Sequence, residues 1–70
     1  MLVTIKQARL LANLTQEEMA HKMGVNVDTY RRIEKDPEKS SIANAKKICD
    51  IVGLSIEDIF FGQQSTLSRL

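Results

Sequence analysis

Charged side chains gather on one face of the segment that spans residues 26–35. At about 100° per residue, five of its side chains fall within an arc of roughly 140°: Val27, Asp28, Arg31, Arg32 and Lys35. Cationic side chains bind phosphates, arginine also pairs with the acceptors of guanine, and a carboxylate accepts from the amino group of cytosine. This face has the chemistry to bind a nucleic acid. The alternative is an ordinary amphipathic helix with a solvated charged face.

Residues suited to catalysis or to metal binding are scarce. The chain has one histidine, His21, and one cysteine, Cys49, which are too few for a zinc cage or an internal disulfide. No nucleophile has an available base, and the sequence has no glycine-rich phosphate loop. We therefore expect a protein that is not an enzyme and that takes no metal, cofactor or evident small-molecule ligand.

Two capped segments separated by a glycine would position the charged face. Thr15 and Glu18 have the spacing of a capping box, and Asn26 is a residue type that begins helices. Gly24 can adopt the positive φ that stops a helix abruptly. The pattern predicts two short helices around a tight turn, the first with apolar residues on one face: Met19, Ala20 and Met23.

Three further helices are predicted around this pair, over residues 4–13, 41–52 and 55–60. Their expected core residues recur at helical spacing: Ile5, Ala8, Leu11 and Ala12 in the first, Ile42, Ala45, Ile48, Cys49 and Val52 in the next, and Ile56, Ile59 and Phe60 in the last. We expect an all-α bundle of five short helices. It forms one domain over residues 1–62, followed by a C-terminal tail over residues 63–70.

Composition and charge agree with a small domain of this kind. Seventy residues with 43% apolar content allow one modest core. With no membrane-length apolar run and no signal peptide, the chain is expected to be soluble and cytoplasmic. Residues 1–47 hold nine Lys/Arg and six Asp/Glu, a net charge of +3, whereas residues 48–70 hold one and three, a net charge of −2. This polarity favours a phosphate track on the first part of the chain.

The stretch from residue 15 to residue 35 resembles the helix-turn-helix family of phage repressors and Cro-like regulators, often called the XRE type. The residues that match its motif are Gln16 at the first place, Ala20 at the fifth, Gly24 at the ninth, and Tyr30 and Ile33 at the buried places of the second helix. The similarity continues from Ile5 through Phe60. The resemblance implies a fold like that of the lambda repressor.

The resemblance also implies a function and its residues. The chain is expected to be a bacterial or phage transcriptional regulator in the nucleoid, a repressor that places helix 26–35 in the major groove of an operator. We expect base contacts from Val27, Asp28 and Arg32, and phosphate contacts from Gln16, Asn26, Arg31, Lys35 and Lys39. The family further implies an ion pair between Arg9 and Glu34 that tethers the recognition helix to the first helix.

The loop after the recognition helix departs from the family pattern. Asp36 stands where the family usually has glycine, and Ser40 where it often has proline. Because Pro37 follows, Asp36 is restricted to extended backbone conformations. Residues 36–41 are therefore expected to follow their own path.

A homodimer is expected because one recognition helix reads too few base pairs to select a site in a genome. Phe61, Leu67 and Leu70 are apolar residues outside the predicted core, and we expect them to be buried across a two-fold axis. For Phe61, the alternative is packing on its own domain. The alternative function is a protein-interaction module, antitoxin-like or anti-repressor-like, that presents Leu10 with these three residues to another polypeptide.

Overall fold

A computed structural model describes residues 2–62, which form four α-helices and a small sheet. The helices are α1 (Ile5–Leu11), α2 (Gln16–Met23), α3 (Val27–Lys35) and α4 (Ile42–Val52). Two short strands, β1 (Val3–Thr4) and β2 (Ile59–Phe60), and two 3₁₀ turns, Pro37–Lys39 and Ile56–Asp58, complete this part of the chain. None of its helices is long and apolar enough to cross a membrane.

Local sequence signals set the helix boundaries. The side-chain oxygen of Thr15 accepts from the Glu18 backbone N–H at 3.0 Å, while the Glu18 carboxylate accepts from the Thr15 N–H at 2.9 Å. This reciprocal pair is the predicted capping box. Gly24 ends α2 with φ +75°, and Gly53 ends α4 with φ +77°, both in the left-handed region that favours glycine. The predicted helix–turn–helix arrangement is confirmed.

The expected fifth helix and the purely helical fold are wrong in detail. Residues 56–58 make only a 3₁₀ turn, and the chain then extends into β2. β2 pairs in parallel with β1, with Val3 opposite Ile59 and Thr4 opposite Phe60. A segment this short cannot support a stable α-helix alone, and pairing with β1 satisfies its backbone instead.

The change from helix to strand also changes which C-terminal residues are buried. Side chains alternate between the two sides of a strand, so Ile59 and Phe61 share one side and Phe60 takes the other. Ile59 is 3% exposed and Phe61 packs against the core, whereas Phe60 is 36% exposed and Ile56 52%. The helical period had predicted Ile56 and Phe60 inside and Phe61 outside, and all three assignments are wrong.

Two other residues predicted in the core are exposed. Leu11 is 67% exposed, because Arg9 and not Leu11 completes the buried face of α1 with Ile5 and Ala8. Ile42 is 75% exposed; it lies about 70° from the centre of the buried arc of α4, in the first turn of that helix. The core is otherwise close to the prediction, with its largest fully buried side chains in α1 to α4: Ile5, Met19, Met23, Tyr30 and Ile48.

The loop after α3 begins without a left-handed cap, as Pro37 predicted, although Asp36 is not fully extended. Asp36 has φ −136° and ψ 72°, outside the left-handed region, and Pro37 opens the 3₁₀ turn that follows. The turn leads into α4, where the Ser41 side chain accepts from the Asn44 backbone N–H at 3.1 Å. This path fixes where the chain leaves the C-terminal end of α3.

Candidate nucleic-acid interface

α3 is held by its buried side mainly against α2. Tyr30 and Ile33, one turn apart, are 0% and 6% exposed, and α2 is the helix that α3 packs against most extensively. Residues on the other side of α3 are exposed, among them Asp28, Arg32 and Lys35. The sequence thus folds into a helix with one packed face and one charged face that is available for contact.

A polar network built on Glu34 joins the first three helices. Arg9 Nε lies 2.6 Å from Glu34 Oε2, and the two side chains are only 9% and 8% exposed. The Tyr30 hydroxyl donates to the same oxygen at 2.6 Å, and the Gln16 side-chain N–H donates to Glu34 Oε1 at 3.0 Å. Arg9 also donates to the Leu14 carbonyl oxygen at 2.9 Å, so α1, α2 and α3 are fixed to one another.

The protonation states of this network follow from its contacts. Burial alone raises the pKa of Glu34, but hydrogen bonds from Arg9, Tyr30 and Gln16 outweigh it and lower that pKa below its ordinary value. The hydrogen bond to Glu34 raises the pKa of Arg9, and burial, reinforced by Glu34, raises the pKa of Tyr30. Glu34 is therefore an ionised acceptor, and the other two remain donors at neutral pH.

Gln16 carries the network out to the surface. As the first residue of α2, it uses its N–H on Glu34 and its side-chain oxygen on Arg31, whose Nε donates at 3.1 Å. Arg31 Nη1 lies 3.3 Å from Asp28 Oδ1, and Nη2 lies 3.6 Å from Glu17 Oε2. The Arg31 side chain is 48% exposed, so part of its guanidinium faces solvent beside the N-terminal ends of α2 and α3.

The other residues proposed to contact DNA differ in how accessible they are. Asn26 is exposed at the N-cap of α3 and makes no side-chain capping hydrogen bond, although that cap had been expected. Lys39 is 73% exposed and pairs with Asp36 at 3.7 Å, within the loop. Val27 is partly buried and packs against the core, which leaves only part of it available to a base.

Two of the three residues proposed for a dimer interface, Leu67 and Leu70, lie outside the described residues. Phe61 is the third, and it packs against its own core, because the strand period places it on the same side as Ile59. The expectation that Phe61 lies off the core is therefore wrong. Burial of Phe61 across a two-fold axis stays a prediction, because Phe61 also lines the apolar groove described next.

The structure instead contains an apolar groove that the sequence interpretation missed. Six large apolar side chains among residues 2–62 are exposed, and four of them line one groove of about 660 Å³: Leu2, Ile42, Ile56 and Phe60. The groove also includes Pro37 and Glu38, just past the C-terminal end of α3. Only a partial signal was present in the sequence, since Ile59 and Phe61 fit the alternation of a strand whereas Phe61 does not fit the helical period.

Two contacts give residues a different use from the one expected. Lys47 belongs to the net-positive first part of the chain, where a phosphate track is expected, but its Nζ donates to the Met23 carbonyl oxygen at 3.3 Å at the C-terminal end of α2. The Tyr30 hydroxyl donates to Glu34, a contact that the sequence pattern did not predict. A tyrosine one turn before a glutamate is the spacing that could have indicated this bond.

Metal-ligand groups and the cysteine thiol are the remaining reactive features of the described part of the chain. Among residues 2–62, no group of three or more His, Cys, Asp and Glu side chains could hold a metal ion. Cys49 is buried, and its pKa is raised first by burial and then by Asp50 and Asp58. A thiol in that environment is a poor nucleophile.

Comparison with known proteins identifies the class. A family model described as helix-turn-helix matches residues 5–59, and the chain belongs to this family. The chain is 46% identical over 56 residues to an uncharacterized HTH-type transcriptional regulator of Methanocaldococcus jannaschii, with 80% of this chain and 85% of the relative covered.

Two further relatives come from another archaeon. Both are uncharacterized HTH-type transcriptional regulators of Archaeoglobus fulgidus, 38% identical over 63 and 56 residues. The alignments cover 90% of this chain and 89% of the first relative, and 80% of this chain and 80% of the second. No solved structure matches the chain. All three relatives are archaeal, so the expected bacterial or phage origin has no support.

Proposed function

We propose that this chain binds duplex DNA sequence-specifically through α3 and represses transcription by occupying an operator. The observation that carries the proposal is the geometry of α3: a buried network fixes one side, and the other presents Asp28, Arg32 and Lys35 to solvent. A helix held in this way beside a short turn is the arrangement that enters the major groove. Membership of a family whose relatives are HTH-type transcriptional regulators supports the same function.

The proposed contacts divide into reading and positioning. Arg32 reads guanine acceptors and Asp28 accepts from a cytosine amino group, with Val27 touching a thymine methyl through its exposed part. Phosphate contacts come from five residues at the start of α2, on α3 or at its N-cap, and in the loop after α3: Gln16, Asn26, Arg31, Lys35 and Lys39. Gln16 has one amide N–H engaged by Glu34 and a second that remains for a phosphate.

The proposal includes a homodimer joined through the apolar groove. Clustered exposed apolar side chains can mark a protein interaction site, and Leu2, Ile42, Ile56 and Phe60 bring most of the large exposed apolar side chains of residues 2–62 to one place. In a two-fold interface the same patch of both copies is in contact, so these apolar side chains would pack against the apolar side chains of the partner's groove.

The position of the groove suits a second copy that reads DNA. It borders the segment that follows α3, and none of the network residues Arg9, Gln16 and Glu34 lines it. A partner seated there leaves the charged face of α3 uncovered and sets the two α3 helices symmetrically about one axis. The operator would then contain inverted half-sites with centres about 34 Å apart or a multiple of that distance.

Selection from a random duplex pool tests the proposal. The wild-type chain should enrich one sequence, and its affinity should fall steeply between about 50 and about 200 mM salt, because phosphate contacts release counterions. Arg32→Ala should reduce the affinity for the selected duplex by about 1–3 kcal/mol and relax the choice at one base pair. Lys35→Ala, the matched loss of one cation from α3, should weaken binding to all duplexes alike.

A different result points to the alternative function. Failure to enrich any sequence, together with capture of a protein partner that is insensitive to salt, would favour an interaction module over a DNA-binding regulator. Equal loss of specific and non-specific affinity in Arg32→Ala would remove Arg32 from the base-reading residues while leaving DNA binding intact.

A further inference from the structure

Arg31 occupies an unusual place for a surface arginine on the charged face of α3. Three of its nitrogens have partners on two helices: Nε donates to Gln16 at 3.1 Å, Nη1 to Asp28 at 3.3 Å, and Nη2 lies 3.6 Å from a Glu17 oxygen. The guanidinium is planar and rigid, so these three contacts fix its orientation together.

The oxygen that Arg31 meets on Gln16 is itself oriented from within the protein. The other end of the Gln16 amide donates to Glu34, and Glu34 is held by Arg9 and Tyr30 in the buried network. This chain of hydrogen bonds distinguishes the amide oxygen of Gln16 from its nitrogen. It therefore presents an acceptor, and not a donor, to the Arg31 guanidinium.

Asp28 depends on Arg31 both for its electrostatics and for its orientation. Its side chain is 84% exposed, and its carboxylate contacts Arg31, one turn further along α3.

Asp28 and Glu17 are both anions on the side that approaches phosphates in the proposed complex, and each repels them. Arg31 contacts both carboxylates and offsets that repulsion, while its bond to Asp28 restricts where the Asp28 oxygens lie.

We infer that Arg31 is a positioning residue for sequence recognition, which fixes the Asp28 carboxylate as an acceptor for one base. The inference rests on the proposed function, since it concerns how the charged face of α3 reads DNA. Exposed ion pairs contribute little to folding stability, so the effect belongs to recognition and not to the fold. Arg31 therefore positions the Asp28 carboxylate in addition to the phosphate contact that its charge alone suggests.

The experiment compares sequence selection by five proteins on the same random duplex pool: the wild-type chain, Asp28→Ala, Arg31→Ala, Arg31→Lys and Lys35→Ala. Asp28→Ala identifies the base pair at which the carboxylate acts, because the preference there disappears. Arg31→Lys keeps the charge but has a single nitrogen, which cannot reproduce the bonds to Gln16 and Asp28 together. Lys35→Ala removes one cation from the same helix and serves as the matched control.

We expect both Arg31 variants to lose the preference at the Asp28 base pair by about tenfold, the size of one good base contact. Lys35→Ala should keep that preference and bind all duplexes more weakly. Thermal unfolding of Arg31→Ala and Arg31→Lys should match the wild type, which separates loss of recognition from loss of the fold.

Three results would overturn the inference. The first is an Arg31→Ala variant that binds all duplexes more weakly but keeps the preference, since that is the behaviour of a simple phosphate contact. Full preference in Arg31→Lys would show that charge alone suffices, and an unchanged preference in Asp28→Ala would show that no base is read there. If the wild-type chain enriches no sequence, the proposed function fails as well, whereas the other results leave it standing.

Discussion

The polar network and the apolar groove differ in how far contacts within this chain cover their side chains. Around Glu34, three side chains donate to one buried carboxylate, and no buried side-chain nitrogen or oxygen among residues 2–62 lacks a hydrogen-bond partner. In the groove, Ile42 is 75% exposed and Phe60 36%, with no other part of the described chain covering them. The polar groups of the first region all find partners within one molecule, whereas the apolar side chains of the second stay exposed to solvent.

This contrast separates what folds the chain from what the folded chain can bind. A buried charge without partners destabilises a protein by several kcal/mol, so the network has to be complete within the monomer. An exposed apolar side chain only lacks the stabilisation that its burial would give. The monomer can therefore fold with the groove uncovered, and a second molecule can bind there afterwards. Substitutions in the two regions should therefore affect stability very differently.

The largest effect on stability is expected from breaking the tether between Arg9 and Glu34. Arg9→Ala leaves Glu34 as a buried anion without its strongest partner, and Glu34→Ala leaves the opposite charge unpaired. Each should reduce the free energy of unfolding by about 3–5 kcal/mol, measured by urea denaturation. Because the two residues interact directly, the double variant should lose clearly less than the sum of the two.

Arg32→Ala is the control for this measurement, because Arg32 is an exposed cation near Glu34 in the sequence. It should change the free energy of unfolding by no more than about 0.5 kcal/mol. Additive effects of Arg9→Ala and Glu34→Ala would mean that the pair has no energetic coupling, despite the 2.6 Å separation of Arg9 Nε and Glu34 Oε2.

Acid should reproduce part of this loss without any substitution. The pKa of Glu34 is lower in the folded protein than in the unfolded chain, because hydrogen bonds from Arg9, Tyr30 and Gln16 outweigh the effect of burial. A lowered pKa contributes stability that is present above the unfolded pKa, about 4.3, and is lost as the pH falls through the folded value. The free energy of unfolding should therefore decline below about pH 5.

Urea denaturation at a series of pH values from 7 to 3 measures this dependence. Glu34→Gln should flatten the acid slope, because its amide does not titrate. Asp50→Asn, which removes an exposed carboxylate, is the matched control variant. Equal slopes in wild type and Glu34→Gln would show that Glu34 contributes nothing to the acid sensitivity.

Short-range signals made one part of this fold predictable. Thr15 with Glu18, and Gly24 nine places into the motif, set α2 and its turn through contacts within a few residues. The far end of the chain was mispredicted, because Ile56, Ile59 and Phe60 fit a helical period that the structure does not use. The deciding contact is the pairing of Ile59 with Val3, a long-range interaction that no local pattern contains.

The candidate site divides in the same way. The charged face of α3 follows from periodicity, since Asp28, Arg32 and Lys35 are exposed as their spacing predicts. The bonds of Gln16 could not be predicted, because both of its partners, Glu34 and Arg31, lie on another helix. Likewise, the groove forms only when Leu2 and Ile42 are brought beside β2 by the fold.

A smaller effect is expected from removing one hydroxyl of the network. Tyr30→Phe keeps the buried ring but deletes the donor that lies 2.6 Å from Glu34 Oε2. The carboxylate retains Arg9 and Gln16, so the loss should be about 1.5 kcal/mol, the lower end for a hydrogen bond to a charged group. In a Glu34→Ala background the same change should matter clearly less, and a loss of the same size there would exclude the Tyr30–Glu34 bond as its cause.

The smallest effect on the stability of the monomer is expected in the apolar groove. Ile42→Ser removes a side chain that is 75% exposed, so little buried surface is lost and the isolated domain should unfold within about 0.5 kcal/mol of the wild type. Its oligomeric state should change instead. Sedimentation at tens of micromolar should give a dimer for the wild type and a monomer for Ile42→Ser.

Leu10→Ser is the matched control for this last prediction. Leu10 is 56% exposed on α1 and does not line the groove, so its loss should leave the dimer intact.

A dimer through the groove would also bring Glu38 and Glu57 towards their copies, and none of the groove-lining residues is a cation. Salt screens such repulsion, so dimerisation should strengthen as salt rises, opposite to the expected salt dependence of DNA binding. A wild-type monomer, or an Ile42→Ser dimer as stable as the wild type, would rule out this face as the interface.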